Sequence, residues 1–312
     1  MDEQVLDAMG WAPHSAAFYD SSTGLASCAR SFLERDDGAP ALVAVPGPSL
    51  DLLRQSLGST DGRLRWADMT TIGVNPGRII SAIRAFADSH HGRSVRCLIE
   101  ALWEGRTPEQ RRETVRHEAL VNHAFPDLPV TILCAYDAGL ADVAAAAELT
   151  HPVLIRDGTR CSSASYDAGT VFPEGYDEPF GPAPGDAEAL AYSDDLSAVR
   201  SFASDRAGSA GIAPQRIRDL VIAVGELVAN TYRHTTGGGV LSVWTTGQEL
   251  VCQVRDSGHI TDPMAGRHPP RRSASGGLGL WVVHQLCDLV EIRTAPAGTC
   301  IRLHMRLDGA PA

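Results

Sequence analysis

From Gly158 to Gly185 the chain reads GTRCSSASYDAGTVFPEGYDEPFGPAPG, rich in Gly, Pro, Ser and Asp and without helical or strand periodicity. Such a stretch offers no continuous apolar face to bury, so it separates two halves that must pack independently. A length of 312 residues agrees with two domains, each long enough for its own core. The expected boundaries are a first domain over 1–157, a linker over 158–187 and a second domain over 188–312.

The two halves have different rhythms. In the first, ALVAV (41–45) is an apolar run before a Pro-Gly-Pro turn and reads as a buried strand. A helix is expected over 49–57, and another over 77–90, where Ile79, Ile80, Ile83 and Phe86 share a face. Buried-strand runs recur in 95–103 and 128–137, with a helix around 109–124 between them. Strands alternating with helices predict an α/β domain around a mostly parallel sheet.

In the second half, 195–210 reads as a helix, and Pro214 opens a longer one. Ile217, Leu220, Val221, Val224, Leu227 and Val228 fall at helical spacing along it. Residues 237–258 read as two strands joined at TTGQE, followed by a loop to Ser275. A glycine-led helix is expected over 276–290 and a closing strand over 298–307. This order predicts an α+β domain with one antiparallel sheet and helices on one face.

Bulk properties narrow the function. A net charge of -11 and a pI near 5.4 argue against a protein that grips nucleic acid through a basic surface. The seven cysteines are scattered without a C-x-x-C, so neither a disulfide framework nor a zinc cage is expected, and a reducing cytoplasm fits. The acidic N-terminus has no long apolar run, so no signal peptide is expected. Nor does any stretch reach the roughly 18 apolar residues of a membrane span.

Glu226, Asn230 and His234 recur every fourth residue, which lines them up on the helix side opposite its apolar stripe. They form either a solvated face or one wall of a pocket. VRDSGH then places Asp256 and Gly258 just after a strand, where a carboxylate can accept from an amine and a glycine admits a flat ring. SGGLGL places Gly276, Gly277 and Gly279 at a helix start, where free N–H groups suit phosphate. Each feature alone is ordinary; their order within about eighty residues is distinctive.

In that order the residues resemble the GHKL ATPase superfamily, with its Bergerat ATP-binding sandwich: ELVANTYRH the N box, VRDSGH and GGLGLWVV the glycine boxes, and Gly298-Thr299 the closing strand's threonine. The resemblance covers roughly residues 190–307, and its compact size and short lid are similar to the anti-sigma-factor (RsbW-like) kinases. It implies ATP and Mg²⁺ as cofactors. It implies Glu226 as general base or water orienter, Asn230 as the Mg²⁺ ligand, and Asp256 and Gly258 at the adenine. It further implies Gly276, Gly277 and Gly279 at the phosphates and Thr299 near the adenine. One departure stands out: Ser275 occupies a position where these kinases usually carry Arg, with Arg271 and Arg272 nearby in a different register.

The first half resembles the MEDS sensory domain, through HSAAFYDS (14–21), FLERDDGAPALVAVPGPSLDLLRQSL (32–57), LIEALW (98–103), RHEALVNHAF (116–125) and LCAYD (133–137). The resemblance covers about 12–157 and implies a RecA-like fold. After ALVAV comes PGPSLDLL, without the Lys of a phosphate loop, so no ATP hydrolysis is expected in this half. His14, Glu100, Glu118, Asn122 and His123 are candidate sensing residues, each also open to a structural role. His90 and His91 with His117 or His123 match no metal cage.

Together the resemblances imply a cytoplasmic anti-sigma-type regulator, a serine/threonine kinase acting under a sensory domain. Its expected partners are a sigma factor or a STAS-type antagonist, with no direct contact to nucleic acid or membrane and a homodimer suggested. The alternatives are a non-catalytic ATP-binding module and a histidine-kinase-like signalling protein.

Overall fold

The computed structural model of the chain describes residues 12–34, 38–58, 62–269 and 278–307. Contacts divide the chain between Tyr176 and Asp177 into two units.

The first unit runs β1 (His14–Tyr19), α1 (Ser22–Leu33), β2 (Ala41–Val45), α2 (Gly47–Leu57) and β3 (Leu64–Asp68). It continues with α3 (Met69–Ile72), a 3₁₀ turn (Pro76–Arg78), α4 (Ile79–Asp88), β4 (Val95–Ile99) and α5 (Pro108–Ala124). β5 (Val130–Asp137), α6 (Val143–Thr150), β6 (Val153–Arg156) and β7 (Thr159–Ser162) complete it. The strand order is β3-β2-β4-β5-β1-β6-β7. All pairings are parallel except β6 with β7, so the expected mostly parallel α/β sheet is present.

Helices cover both faces of this sheet, which is why β2 and β4 are buried throughout. α1 and α2 pack on Ala17, Val43, Val45, Leu98 and Leu133. The alternate residues of β1 and β5, His14 and Cys134 among them, face α5, where Glu118 meets both. α5 starts where Thr107 and Gln110 form a capping box, with Pro108 at the first helical position.

β7 corrects one expectation, because it lies inside the stretch read as aperiodic linker. Asp157 and Gly158 both have positive φ, 50° and 77°. A two-residue hairpin turn of that hand needs positive φ at both positions, and Asp-Gly supplies it. The turn folds the chain back onto β6, pairing Arg156 with Thr159.

The second unit runs β8 (Glu188–Tyr192), α7 (Leu196–Ser209), α8 (Pro214–His234), β9 (Gly239–Thr245) and β10 (Glu249–Asp256). α9 (Leu278–Leu286), β11 (Leu289–Ala295) and β12 (Gly298–Arg306) follow. The antiparallel sheet has the order β11-β12-β10-β9-β8. Val199 and Ala203 of α7, Leu220, Val224 and Leu227 of α8, and Val283 of α9 pack on Leu241, Cys252, Ile301 and Leu303. This is the expected α+β arrangement, with the helices on one face.

The glycine-led helix is shorter than its apolar run suggests: it stops at Leu286, and Leu289 and Val290 belong to β11. Arg216 sets the stop. Its Nη1 donates to the Leu286 carbonyl at 2.8 Å, satisfying a helix-end acceptor. Its Nη2 donates to Asp288 Oδ2 at 2.7 Å, and the same oxygen accepts from the Arg306 amide at 2.9 Å. Asp288 is thereby fixed to the closing strand rather than to another helical turn.

Candidate functional site

The long helix α8 supplies the first wall. Its apolar side is buried, while Glu226 and Asn230 are half-buried on the other side and His234 is exposed at the last turn. α9 crosses that side with Gly279 against them. A methyl group at position 279 would lie 2.8 Å from Glu226 Oε2, 3.4 Å from Asn230 Nδ2 and 3.6 Å from Asn230 Oδ1. A carboxylate, an amide and a helix N-terminal turn therefore meet so closely that a methyl group at 279 would require the Glu226 carboxylate to turn aside. Hard oxygens beside free N–H groups suit a divalent cation together with an anion.

Asp256, at the end of β10, forms the second wall. Thr231 Oγ1 on α8 donates to Asp256 Oδ2 at 2.6 Å, and the Gly258 amide donates to Oδ1 at 2.8 Å. Tyr192 reaches Thr231 from β8 at 3.1 Å. Each carboxylate oxygen keeps an acceptor direction for a further donor. Thr299 lies opposite Asp256 in the β10–β12 register and donates to the Gly258 carbonyl at 2.8 Å. Thr294 continues this chain, contacting Thr299 at 2.8 Å and accepting from the Ile260 amide at 2.9 Å.

The structure thus brings together Glu226, Asn230 and Gly279 at one end and Asp256, Gly258 and Thr299 at the other. α8 joins the two groups through consecutive residues, Asn230 and Thr231. Gly276 and Gly277, with Ser275, Arg271 and Arg272, lie outside the described residues. Sequence reasoning missed Thr231 and Tyr192. Both lie on segments far in sequence from Asp256, 25 residues away for Thr231, so no local pattern pointed to them.

In the first unit, three of the candidate sensing residues meet. His14 Nδ1 lies 3.0 Å from Asn122 Oδ1, and its Nε2 lies 3.3 Å from Glu118 Oε2. His123 is exposed. Glu100 sits elsewhere, just past β4, where Tyr19 donates to its Oε1 at 2.9 Å. Burial, with Asp137 nearby, pushes the Glu100 carboxyl up to about 7 against the opposing hydrogen bonds from Tyr19 and Ser49.

Residues 190–305 match the histidine kinase-like ATPase domain, and residues 13–152 match the MEDS domain, described as a methanogen/methylotroph, DcmR sensory domain. No curated protein matches the chain. A structure of the RsbU and RsbW domains of a Mycobacterium tuberculosis protein is 21% identical, with a TM-score of 0.31, over 40% of this chain and 33% of that one. The chain therefore spans about a third of the length of that structure. The Acinetobacter baumannii histidine kinase AdeS is 14% identical, with a TM-score of 0.25, over 39% of this chain and 68% of that one. Among the described residues, no helix is long and apolar enough to cross a membrane.

Proposed function

We propose, for a chain that joins a MEDS sensory domain to a histidine kinase-like ATPase domain, that the second domain binds ATP with Mg²⁺ and passes a signal from the first to a protein partner. The observation that carries this reading is Gly279, which sets the first turn of α9 against Glu226 and Asn230 while α8 holds Asp256 at the far end. A purine at one end and phosphates at the other would fit that spacing of functions.

The residues have separable tasks. Asp256, held by Thr231 and the Gly258 amide, keeps acceptor capacity for an exocyclic amine. Thr299 fixes the Gly258 carbonyl, which shapes the adjacent wall. Asn230 offers one hard oxygen, enough for an ion that takes most of its ligands from phosphate and water. When bound, Mg²⁺ supplies charge neutralisation at the phosphates. The Glu226 carboxylate would orient an incoming hydroxyl and take its proton.

The finer reading is an intracellular anti-sigma-type regulator. It sequesters a sigma factor or phosphorylates a Ser or Thr of a STAS-type antagonist, under the control of the sensory domain. Its support is the resemblance of residues 190–307 to the anti-sigma-factor kinases. Ser275 favours a second reading, in which ATP is held and no phosphate moves. Incubation with γ-labelled ATP and candidate antagonists separates the two. Label on a Ser or Thr, lost in Glu226→Gln, supports transfer; nucleotide recovered intact from the protein supports the binding module. Failure to retain nucleotide at all overturns both.

A further inference from the structure

A second constellation lies in the MEDS unit and is independent of the nucleotide site. His14 on β1, Glu118 on α5, Cys134 on β5 and His151 just after α6 are all buried. One ligand atom from each lies within 4.8 Å of every other. Glu118 Oε2 is 3.3 Å from His14 Nε2, 3.2 Å from Cys134 Sγ and 3.5 Å from His151 Nε2, and Cys134 Sγ is 3.4 Å from His14 Nε2. Tetrahedral donors at zinc bond lengths are separated by about 3.3 to 3.6 Å. Four of the six donor pairs therefore stand at about those separations, and the other two, His151 with His14 and with Cys134, lie within 4.8 Å.

The surrounding hydrogen bonds point the ring nitrogens inward. Asn122 Nδ2 donates to the Thr150 and Ala119 carbonyls at 2.8 and 3.2 Å, which turns its Oδ1 toward His14 Nδ1. His151 Nδ1 lies 2.9 Å from Thr150 Oγ1, whose hydrogen goes to the Ala146 carbonyl at 2.8 Å, and 3.1 Å from the Ala147 carbonyl, so this nitrogen carries the proton. His151 Nε2 and Glu118 Oε1 have no hydrogen-bond partner. Imidazoles whose Nδ1 is tied to an oxygen acceptor are oriented as metal ligands usually are.

We propose that His14, Glu118, Cys134 and His151 form a four-coordinate site for a divalent transition metal, with zinc the ion whose preferences they meet. Two nitrogens, one carboxylate oxygen and one thiolate suit a borderline-soft cation. A dication with one carboxylate and one thiolate sums to zero charge, which removes the cost of a lone buried ion. Cys134 S–H donates to Glu118 Oε2 in the metal-free arrangement. On binding, the S–H bond breaks, the sulfur pair goes to the metal, and the proton leaves to solvent, as does any proton on His14 Nε2. A cleft of about 570 Å³ is lined by His14 and Asn122, at the edge of the cluster. The site gives the sensory domain a chemical input that nothing in its sequence spacing announces.

The test uses the full chain, stripped with a chelator and titrated first with Co²⁺ and then with Zn²⁺. One equivalent of Co²⁺ should produce intense tetrahedral d–d bands and a thiolate-to-cobalt charge-transfer band, and one equivalent of Zn²⁺ should bleach both. Cys134→Ser should remove the charge-transfer band. Asn122→Ala should keep the spectrum but weaken binding by about 10- to 100-fold, as expected when a ligand's orienting partner is lost. No saturable binding to the wild-type chain overturns the proposal, as does a weak octahedral cobalt spectrum. A charge-transfer band that survives in Cys134→Ser does so too.

Discussion

Thr231 Oγ1 donates to Asp256 Oδ2 at 2.6 Å, so the helix that carries Glu226 and Asn230 also fixes the carboxylate at the other end of the site. A hydrogen bond to a charged acceptor contributes about 1.5 to 3 kcal/mol. Thr231→Val keeps the shape and removes the donor, which frees Asp256 to turn. Affinity for adenine nucleotides is expected to fall by at least about tenfold, and the thermal unfolding midpoint should fall as well, because Asp256 and Tyr192 both lose a partner. Calorimetric titration beside a melting curve checks both.

At Gly279 one added methyl group would displace the Glu226 carboxylate and so probe the proposed phosphate end. In Gly279→Ala the new carbon would stand 2.8 Å from Glu226 Oε2, closer than real contacts allow. Either the glutamate or the first turn of α9 must shift, and both border the proposed phosphate end. Alanine favours helix over glycine by up to about 1 kcal/mol, so the variant should fold. Nucleotide affinity or transfer should nevertheless be lost. An unchanged nucleotide titration would remove Gly279 from the site.

His304 gives the second unit a pH-dependent element. Its Nδ1 lies 2.8 Å from Glu249 and its Nε2 3.0 Å from Glu291. Burial works against its charge, but these two carboxylates outweigh burial and push the imidazole up to about 9 from its ordinary 6.5. Because the folded value exceeds the unfolded one, the contribution is complete below about pH 6.5 and is lost as pH rises to about 9. At about 1.4 kcal/mol per pH unit spanned, it is worth about 3 kcal/mol. Urea unfolding of the wild type between these limits should show the loss, and His304→Gln should flatten it.

Glu100 places a similar slope at lower pH in the first unit. Burial raises its carboxyl from 4.5 to about 7, so the folded state holds a proton that the unfolded state has released. Its stabilising contribution is complete below about pH 4.5 and declines until about pH 7. Glu100→Gln keeps the hydrogen-bonding shape without the titration. The variant should gain stability relative to wild type as pH rises through this window, which denaturant midpoints at several pH values would measure.

The elements most legible in the sequence were those with a strong period or a full apolar run. α8 announced itself through Leu220, Val224, Leu227 and Val228, and β2 and β4 through the short runs ALVAV and VRCLI, which the structure buries throughout. The line of Glu226 and Asn230 was readable because an α-helix fixes which residues share a side. β11 was hidden because Leu289 and Val290 continue the apolar run of α9, and only Arg216 with Asp288 separates them. β7 was hidden among turn residues, though Asp157-Gly158 was itself a hairpin signal. The Thr231–Asp256 tie crosses between segments with no shared period, so no local pattern records it. The same holds for His14, Glu118, Cys134 and His151. The absence of a C-x-x-C excluded only cages built within one loop, while the parallel sheet assembles donors from β1, β5, α5 and the end of α6.

In the proposed reading, three separated segments form one cleft for magnesium-bound ATP. Isothermal titration of the full chain with ATP, with and without Mg²⁺, addresses it most directly. The expected result is one saturable site that tightens with Mg²⁺, loses that Mg²⁺ dependence in Asn230→Ala and loses adenine selectivity over guanine in Asp256→Asn. No binding heat for the wild-type chain, or full affinity retained in both variants, would contradict it.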